Sequence, residues 1–455
     1  MTEEAAPAVD LHALIRSRQY RVMLVFAAVI GVFVSFVAWG FLEAVHGIQV
    51  WVYQDLPDDL GFDTVPRWWP LPWLALAGLL TALAITRLPG HGGHVPVEGL
   101  KAGSITQPSD VPGVLLAALA TLGLGLVLGP EAPLIALGMG LALFVVRRAR
   151  PGTPPQAQNV LAAAGSFAAI STVFGSPVIG SIVMVEAVGL AGANLTVMLL
   201  PGLISAGIGS LVFIGMGEWS GLSMSAWALN PLALPTFARP GWGDFGWTIV
   251  LAVATAVGVF VIIEIGHRSK RIVERRPVLL TIAAALVVGG LAIVFSEITD
   301  KPVDAVLFSG QDAFGTFMHE GPTLSLSTLA LLLICKGVAW GISLGNFRGG
   351  PTFPALFLGA AAGLLASHLP GYAETQAVAA LMGAACVSML RLPLSSIVIA
   401  LLLTSQAGLA VAPLIIVAVV VAYITTMMLS AWRATDEKEE AAPASPAAVS
   451  HHPSS

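Results

Sequence analysis

The composition of this 455-residue chain places it in a membrane, since 56% of its residues are hydrophobic, 10% are charged and the mean hydropathy is +0.86. Soluble domains carry about 25% charged residues, so these charges are too few to cover a water-exposed surface. The net charge of −5 is spread over tails and loops, which predicts no nucleic-acid partner. The two cysteines, Cys335 and Cys386, lie in apolar stretches, where buried inert thiols are expected rather than a disulfide framework or a metal site.

The first two apolar stretches predict a helical hairpin across the membrane. Three arginines precede an uncharged run from residue 22 to residue 41, and about 20 residues suffice to cross the hydrocarbon core. By the positive-inside bias, this basic flank puts residues 1–21 in the cytoplasm, and four aspartates within residues 55–63 then lie outside. A second span, about 69–86, ends at Arg87 and returns the chain to the cytoplasmic side.

The remaining apolar segments include several that are shorter than a full crossing. Short segments beside Gly and Pro breaks indicate half-helices or strongly tilted helices. A basic cluster at residues 267–276 predicts a cytoplasmic loop, and residues 433–455, with an acidic run and then Ala, Pro and Ser, predict a disordered tail. The segments are 111–128, 131–146, 158–173, 177–190, 194–216, 245–265, 278–296, 325–343, 352–367, 375–390, 393–408 and 411–432.

Two segments share the pattern G-P-x-x-P-x-x-x-L-G. It occupies residues 129–138 and residues 350–359, an offset of 350 − 129 = 221 that is close to half of 455. Paired segments interrupted by Gly and Pro are typical of inverted membrane repeats with discontinuous helices, and they indicate the transport site. Irregular backbone inside a bilayer is tolerated only where it is buried or lines a watery cavity. Each break is therefore expected to face a pathway.

A second echo supports the duplication. Residues 174–183 are similar to residues 390–399, and their prolines are 393 − 177 = 216 residues apart, nearly the same offset. These patterns predict an all-α polytopic membrane protein with two inverted-topology repeats built from broken and tilted helices. The first repeat is assigned to residues 22–216 and the second to residues 217–432.

In the order and spacing of these pieces the chain resembles the CLC family of chloride channels and proton/chloride exchangers. The family's G-[KR]-E-G-P is similar to Gly-Pro-Glu-Ala-Pro at residues 129–133, and its G-x-F-x-P region is similar to residues 349–354. Its G-S-G-I-P is matched more loosely by Gly-Gly-His-Val-Pro at residues 92–96. Residues 174–177 and 390–394 are similar to the family's F-N-A-P and I-R-A-P-L. The resemblance, about residues 22 to 433, implies the CLC fold.

The resemblance also implies an anion path at which helix N-termini meet in mid-membrane. A helix start presents unsatisfied N–H groups and about half a positive charge, so converging starts bind an anion without a buried cation. These starts are expected near residues 93–96, 129–133 and 351–354, with a fourth at the start of the last helix. The expected anion-binding residues are Gly93, His94, Val95, Gly129, Pro130, Ala132, Pro351, Thr352 and Phe353.

Glu131 is the expected gate. A carboxylate at a helix start is itself an anion, so it can occupy the anion site, be displaced by chloride, or leave when it is protonated. By the resemblance, Glu131 is the glutamate that blocks the pore or carries the proton. The alternative interpretation is a first-turn glutamate that only stabilises the helix dipole, by about 0.3–1 kcal/mol.

Three departures from the family pattern bear on selectivity. Gly93 stands where the family has a serine whose hydroxyl contacts the anion, although residues 103–108 offer a second alignment. Thr352 replaces the family's phenylalanine and can supply a hydroxyl in compensation, or it can act as an N-cap. The family's pore-lining tyrosine has no evident counterpart, because Tyr423 lies too early and suits a packing or interfacial role.

The residues that would couple proton movement also depart from the family pattern. The family's exchangers carry two adjacent glutamates after F-N-A-P, and the second takes protons from the cytoplasm; here the pair is Glu186 and Ala187. An alanine cannot relay a proton, which favours a channel or a weakly coupled pathway. Glu186 is the candidate inner proton site, although helix geometry turns it about 100° away, and a structural or subunit-contact role is the alternative.

Other intramembrane charges give weaker signals. Glu264 and Lys336 lie in apolar surroundings, where a lone charge costs about 2.5–3.5 kcal/mol on insertion scales, so a structural pair or a snorkelling lysine is expected. His91 and His94 flank the first motif and can sense pH near neutrality, or they can be solvated loop residues.

The sequence therefore predicts a chloride or small-anion transport protein, a channel or weakly coupled pathway gated by Glu131. The first alternative is a proton-coupled exchanger of chloride or another halide, which uses Glu131 alone or with Glu186. Two others are a secondary transporter of a small organic anion and an inactive membrane scaffold. No enzymatic activity, cofactor or metal is expected, since no nucleophile triad, phosphate-binding loop or nucleotide motif is present. The resemblance further implies a homodimer in the cell membrane with cytoplasmic termini.

Overall fold

The computed structural model describes residues 16–99, 105–189, 192–220 and 230–441, and these residues form helices joined by short irregular segments. Within them, eight helical segments are long and apolar enough to cross a membrane. The chain is thus a multi-pass helical membrane protein. The helices are α1 (Arg18–Val50), α2 (Pro70–Arg87), α3 (Val111–Gly123), α4 (Glu131–Ala149), α5 (Pro155–Val173), α6 (Pro177–Val188), α7 (Gly192–Ser220), α8 (Trp242–Val273), α9 (Pro277–Thr299), α10 (Phe314–Glu320), α11 (Leu326–Asn346), α12 (Thr352–Ala366), α13 (Glu374–Leu390), α14 (Pro393–Leu403) and α15 (Ala412–Ala441).

Helix boundaries follow the Gly and Pro punctuation of the sequence. Several helices carry proline in their first turn, where the missing N–H has no intrahelical partner to lose. The Ser325 side chain accepts from the Thr328 N–H at 3.1 Å and caps α11. Helix α6 ends at Gly189, which takes a left-handed conformation at φ 67°. The helical hairpin and the apolar segments predicted from sequence overlap these helices, but α1, α8 and α15 continue eight or nine residues past their predicted ends, and α3 and α14 end five residues earlier than predicted.

Each half contains one pair of closely packed helices that begins at a G-P-x-x-P break. In the first half, α4 meets α5 so closely that a Cβ on Gly138 would lie 2.5 Å from the Gly165 carbonyl oxygen. In the second half, α12 meets α13, and a Cβ on Gly359 would lie 2.7 Å from the Leu381 carbonyl oxygen. Small residues let helix backbones approach in a bilayer. The duplication seen in sequence therefore extends to packing.

Three sequence predictions on boundaries need correction. The basic residues 267–273 are helical, because α8 continues to Val273 and leaves only a short connection to α9. Helix α15 runs to Ala441, nine residues into the predicted disordered tail, and residues 442–455 lie outside the described residues. The proposed repeat boundary after residue 216 falls inside α7.

The two isolated intramembrane charges both have partners. Glu264 of α8 forms a salt bridge with the Arg433 guanidinium at 2.8 Å, which confirms the predicted structural pair. Lys336 of α11 is fully buried and donates to backbone carbonyls, so the snorkelling interpretation is wrong. A buried charge needs such partners because the membrane interior offers no water.

Candidate anion site

The two G-P-x-x-P breaks meet. Gly129 N donates to Gly350 O at 2.7 Å and Gly350 N donates to Gly129 O at 2.5 Å, which forms an antiparallel bridge outside any strand. Two reciprocal backbone hydrogen bonds of this kind relate the two paired segments by a local two-fold axis. The bridge therefore places the start of α4 beside the start of α12, with opposite chain directions.

Glu131 lies at this junction as the first residue of α4. Its side chain is fully buried, and its Oε1 accepts from the Phe353 N–H at 3.1 Å. Glycine at both breaks leaves room for the carboxylate in this position, because a Cβ on Gly350 would overlap Oε2 and a Cβ on Gly129 would also be too close. The carboxylate of one half thus occupies a seat made by the helix start of the other half. We call this space, bounded by Gly129, Gly350 and the first turn of α12, the seat.

Two buried polar atoms at the seat have no hydrogen-bond partner among the described residues. They are Glu131 Oε2 and Thr352 Oγ1, and both residues are 0% exposed. Thr352 is the first residue of α12, and the N-cap is Pro351, so the N-cap interpretation of Thr352 is wrong. A buried hydroxyl without a partner costs about 1–3 kcal/mol, and an anion or water at the seat would remove that cost.

The aromatic side chain beside the seat joins it to the second pair of echoed segments. Phe353 is 3% exposed and its ring stacks on Phe174, with centroids 6.2 Å apart and an interplanar angle of 14°. Phe174 ends α5 immediately before the Gly-Ser-Pro turn into α6. The sequence identified both segments as motifs but gave no sign that they touch.

The first motif lies beside the seat but does not begin a long helix. Residues 90–93 all have positive φ, and a three-residue 3₁₀ turn, Pro96–Glu98, follows Val95. The expected helix start near residues 93–96 is therefore not observed, and residues 100–104, which include part of the alternative alignment, lie outside the described residues. Gly93 and His94 instead line a cavity of about 270 Å³ whose other wall includes Ala132, the residue after Glu131.

His94 has a tautomer set by its surroundings. Its Nε2 lies 2.6 Å from the Gly99 carbonyl oxygen. A carbonyl only accepts, so Nε2 must donate. The ring is thus held at the wall of the cavity rather than in a solvated loop.

A buried cation near the site was missed by the sequence interpretation. Arg348, two residues before Gly350, is 7% exposed, and its guanidinium donates to the carbonyls of His91 and Phe347 at 3.2–3.4 Å. The site therefore has a full positive charge nearby, contrary to the expectation of helix ends alone. The signal available was a lone arginine in the Gly-rich connection between two apolar segments.

The geometry of helix starts, bridge and buried carboxylate can now be compared with known proteins. The sequence profile of the voltage gated chloride channel family matches residues 77–427. This chain belongs to that family. The CLC resemblance of the three motifs is confirmed, and the assignment to ion transport rather than enzymatic catalysis follows from the family.

Relatives of this CLC chain include curated bacterial proteins. It is 29% identical over 385 residues to "Putative ion-transport protein YfeO" of Salmonella newport (strain SL254), which covers 82% of this chain and 85% of the relative. The YfeO protein of Salmonella typhimurium gives the same identity and coverage.

Solved structures confirm the CLC fold. The structure of a slow cyanobacterial Cl⁻/H⁺ antiporter superposes with a TM-score of 0.72 at 20% identity and covers 92% of this chain and 98% of its own. A CLC-type fluoride/proton antiporter gives a TM-score of 0.67 at 17% identity, with coverages of 89% and 95%. At these identities the likeness concerns the fold.

The candidate inner proton residue of this CLC chain lies apart from the seat and caps a helix. Glu186 accepts from the backbone N–H groups of Leu394 and Ser395 at 3.0 and 2.7 Å, and from Ser395 Oγ at 2.6 Å. These donors belong to the first turn of α14, whose N–H groups have no intrahelical partners. The contact is the structural role that the sequence offered as the alternative for Glu186.

The last helix, α15, is the expected source of the fourth helix start, but its main contacts are not with the helices that form the seat. Helix α15 begins at Ala412 and packs chiefly against α8, α13 and α14. Tyr423 lies within α15 and is partly buried, as a packing residue would be.

Proposed function

We propose that this CLC protein carries chloride or a similar small anion across the cell membrane through a path that Glu131 closes. The observation that carries the proposal is the hydrogen bond from Phe353 N to Glu131 Oε1 at 3.1 Å, inside a seat formed by two helix starts. A seat that binds a carboxylate through a helix-start amide offers a chloride the same donor. Glu131 and the anion therefore compete for one place.

The anion-binding groups of the proposal are the seat and its neighbours. Phe353 N is the donor that Glu131 now uses, and the Thr352 hydroxyl is buried without a partner. Residues Gly129, Pro130 and Pro351 shape the seat, and Ala132, Gly93, His94 and Val95 belong to the adjoining cavity or lead from it. Thr352 takes the place of the serine hydroxyl that the first motif lacks.

We propose weak or absent proton coupling. The position expected to take protons from the cytoplasm is Ala187, and the oxygens of Glu186 are used by the start of α14. The second candidate function is proton-coupled exchange through Glu131 alone, because the similar solved structures include a Cl⁻/H⁺ and a fluoride/proton antiporter. The proposal also includes a homodimer with a separate path in each subunit and cytoplasmic termini.

The test is flux in liposomes, with chloride and proton movement recorded together. Wild-type protein is expected to move chloride faster as the pH falls, because a protonated Glu131 leaves the seat. Glu131→Gln is expected to keep chloride flux while its rate varies less than about twofold over roughly pH 5 to 8. Glu297→Gln, which alters an exposed carboxylate paired with Arg67, is the matched control and should behave as wild type.

The outcomes separate the candidates. An unchanged pH response in Glu131→Gln would contradict the gating role. Uphill proton movement driven by a chloride gradient would establish exchange, and its absence beside electrogenic chloride flux would establish a channel. Fluoride flux without chloride flux would assign the other halide, and no halide flux would refute both candidates.

A further inference from the structure

A second buried charge, remote from the gate, is held in an unusual set of contacts. Lys336 lies in the middle of α11 and its side chain is fully buried. Its Nζ donates to four successive backbone carbonyls, those of Ala305, Val306, Leu307 and Phe308, at 3.1, 3.1, 2.9 and 3.2 Å. The sequence predicted a structural pair or a snorkelling position for this lysine.

These contacts have the form of a cation site whose occupant is a side chain. The centroid of the Phe357 ring lies 4.7 Å from Nζ, which is within cation–π distance. An ammonium has three N–H donors and no acceptor, so the four carbonyls satisfy it completely, with at least one N–H shared between two carbonyls. Asp304 lies nearby. Burial raises the pKa of Asp304 above its usual value, and the Lys336 charge offsets only part of that rise.

The carbonyls belong to a segment that cannot satisfy them by itself. Residues 305–308 connect a 3₁₀ turn to a left-handed residue, Phe308 at φ 58°, so their carbonyls make no helix. Val306 and Leu307 are fully buried. Buried carbonyls need donors, and Lys336 supplies them to four residues at once. Without the ammonium these four carbonyls would lose this donor.

The same segment is tied to the chain that leads into the seat. Phe308 N donates to the Gly125 carbonyl at 3.1 Å, and the Phe308 ring packs edge-on against Tyr53 with centroids 5.0 Å apart. Tyr53 Oη in turn donates to the Leu124 carbonyl at 2.9 Å. Residues 124–128 are buried and irregular, and they run directly into Gly129. Their position fixes where α4 and its glutamate begin.

We propose that Lys336 is a positioning residue for the anion path, a tethered cation that orders residues 305–308 and, through Phe308, holds the approach segment 124–128 against the seat. The proposal rests on the proposed function for its effect on flux. It also assigns a ligand class to the space around Nζ. A small primary alkylammonium should bind there once the side chain is removed.

The first measurement does not depend on transport. Lys336→Ala removes the stem and ammonium, and millimolar ethylammonium is expected to raise its Tm in detergent while leaving the Tm of wild type unchanged. Lys336→Met keeps the volume of the stem and removes the charge, so it should gain nothing from ethylammonium. Lys301→Met, which alters a lysine between α9 and α10, controls for the loss of a lysine.

The second measurement is chloride flux at equal ethylammonium concentrations and equal pH on both sides. Lys336→Ala is expected to lose on the order of tenfold in flux, as for a group displaced by a loosened support. Ethylammonium should restore at least half of the loss in Lys336→Ala and none of it in Lys336→Met. A merely structural role would lower Tm without this selective rescue.

Failure of this proposal differs from failure of the proposed function. If ethylammonium stabilises Lys336→Ala although wild type moves no halide, the cation site stands and the proposed function falls. If folded Lys336→Ala gains neither Tm nor flux from ethylammonium, the positioning role is overturned. Should Lys336→Ala fail to fold, wild-type flux and a wild-type pH profile in Lys336→Met would overturn it instead.

Discussion

The two G-P-x-x-P breaks have the same backbone role and opposite chemical roles. They pair through Gly129 and Gly350, and each starts a helix. At the equivalent position one carries Glu131 and the other Thr352. In the proposed function, the first half supplies a negative charge that competes with the anion, and the second supplies a hydroxyl and the amide that binds either one. On that proposal, a difference at one residue turns a duplicated scaffold into a gated site.

The largest expected effect comes from moving the acid between the halves. Because the bridge relates the breaks by a local two-fold axis, Glu131→Thr combined with Thr352→Glu is expected to place a carboxylate in the seat from the other side. Glu131→Thr alone should give chloride flux that does not depend on pH, and the double variant should regain flux that rises as pH falls. Liposome flux measured over a pH series tests this.

The single variant Thr352→Glu is the matched control for the exchange. It puts two carboxylates at one seat, where like charges disfavour joint ionisation, and its flux should be lower than that of wild type at neutral pH. A double variant as flat in pH as Glu131→Thr would show that the two positions are not equivalent.

The next effect tests the glycine that leaves room for the carboxylate. Gly350 has no positive φ, so alanine fits the backbone, but its Cβ would overlap Glu131 Oε2. Gly350→Ala is expected to expel the carboxylate and to raise chloride flux at neutral pH. Gly290→Ala in α9, with no atom within 4 Å of the added Cβ, is the control.

A double-mutant cycle gives this prediction its strict form. In the Glu131→Ala background no carboxylate remains to be expelled, so Gly350→Ala should add little to the flux. Residues in contact show coupling of about 0.5–3 kcal/mol. Equal effects of Gly350→Ala in both backgrounds would mean that the alanine acts on something other than Glu131.

Much of this architecture could be predicted because its causes are local. Gly and Pro breaks, apolar segment lengths and the offset of 221 residues predict the helices, the duplicated breaks and the position of Glu131 at the first break. The meeting of residues 129 and 350 was expected from repeat architecture, but the bridge itself was not.

The parts that sequence reasoning missed depend on contacts between distant segments. Nothing local shows that the four carbonyls before Ser309 face Lys336, or that Phe174 stacks on Phe353. The burial of Arg348 beside the His91 carbonyl also needs the fold. The helix expected after Gly93 is, within the described residues, only a 3₁₀ turn over Pro96–Glu98, which ends at Gly99 with a positive φ that glycine permits.

The smallest expected effect concerns α6 and α14, the helices that begin in the other pair of echoed segments. There the first half again supplies a carboxylate to a helix start of the second, but Glu186 accepts three hydrogen bonds from α14 instead of leaving an oxygen unpaired. Glu186→Gln replaces one acceptor with an amide donor that faces donors. It should destabilise the protein by about 1–2 kcal/mol without changing the ratio of proton to chloride movement.

Thermal unfolding in detergent together with paired proton and chloride flux distinguishes the two roles of Glu186. Ser176→Ala, which removes a single weaker cap at the start of α6, should lower Tm by less, because that bond is 3.4 Å long. Loss of proton movement in Glu186→Gln at unchanged Tm would make Glu186 a proton carrier. The two echoes would then share one chemistry, because a carboxylate at a helix start would exchange protons in both.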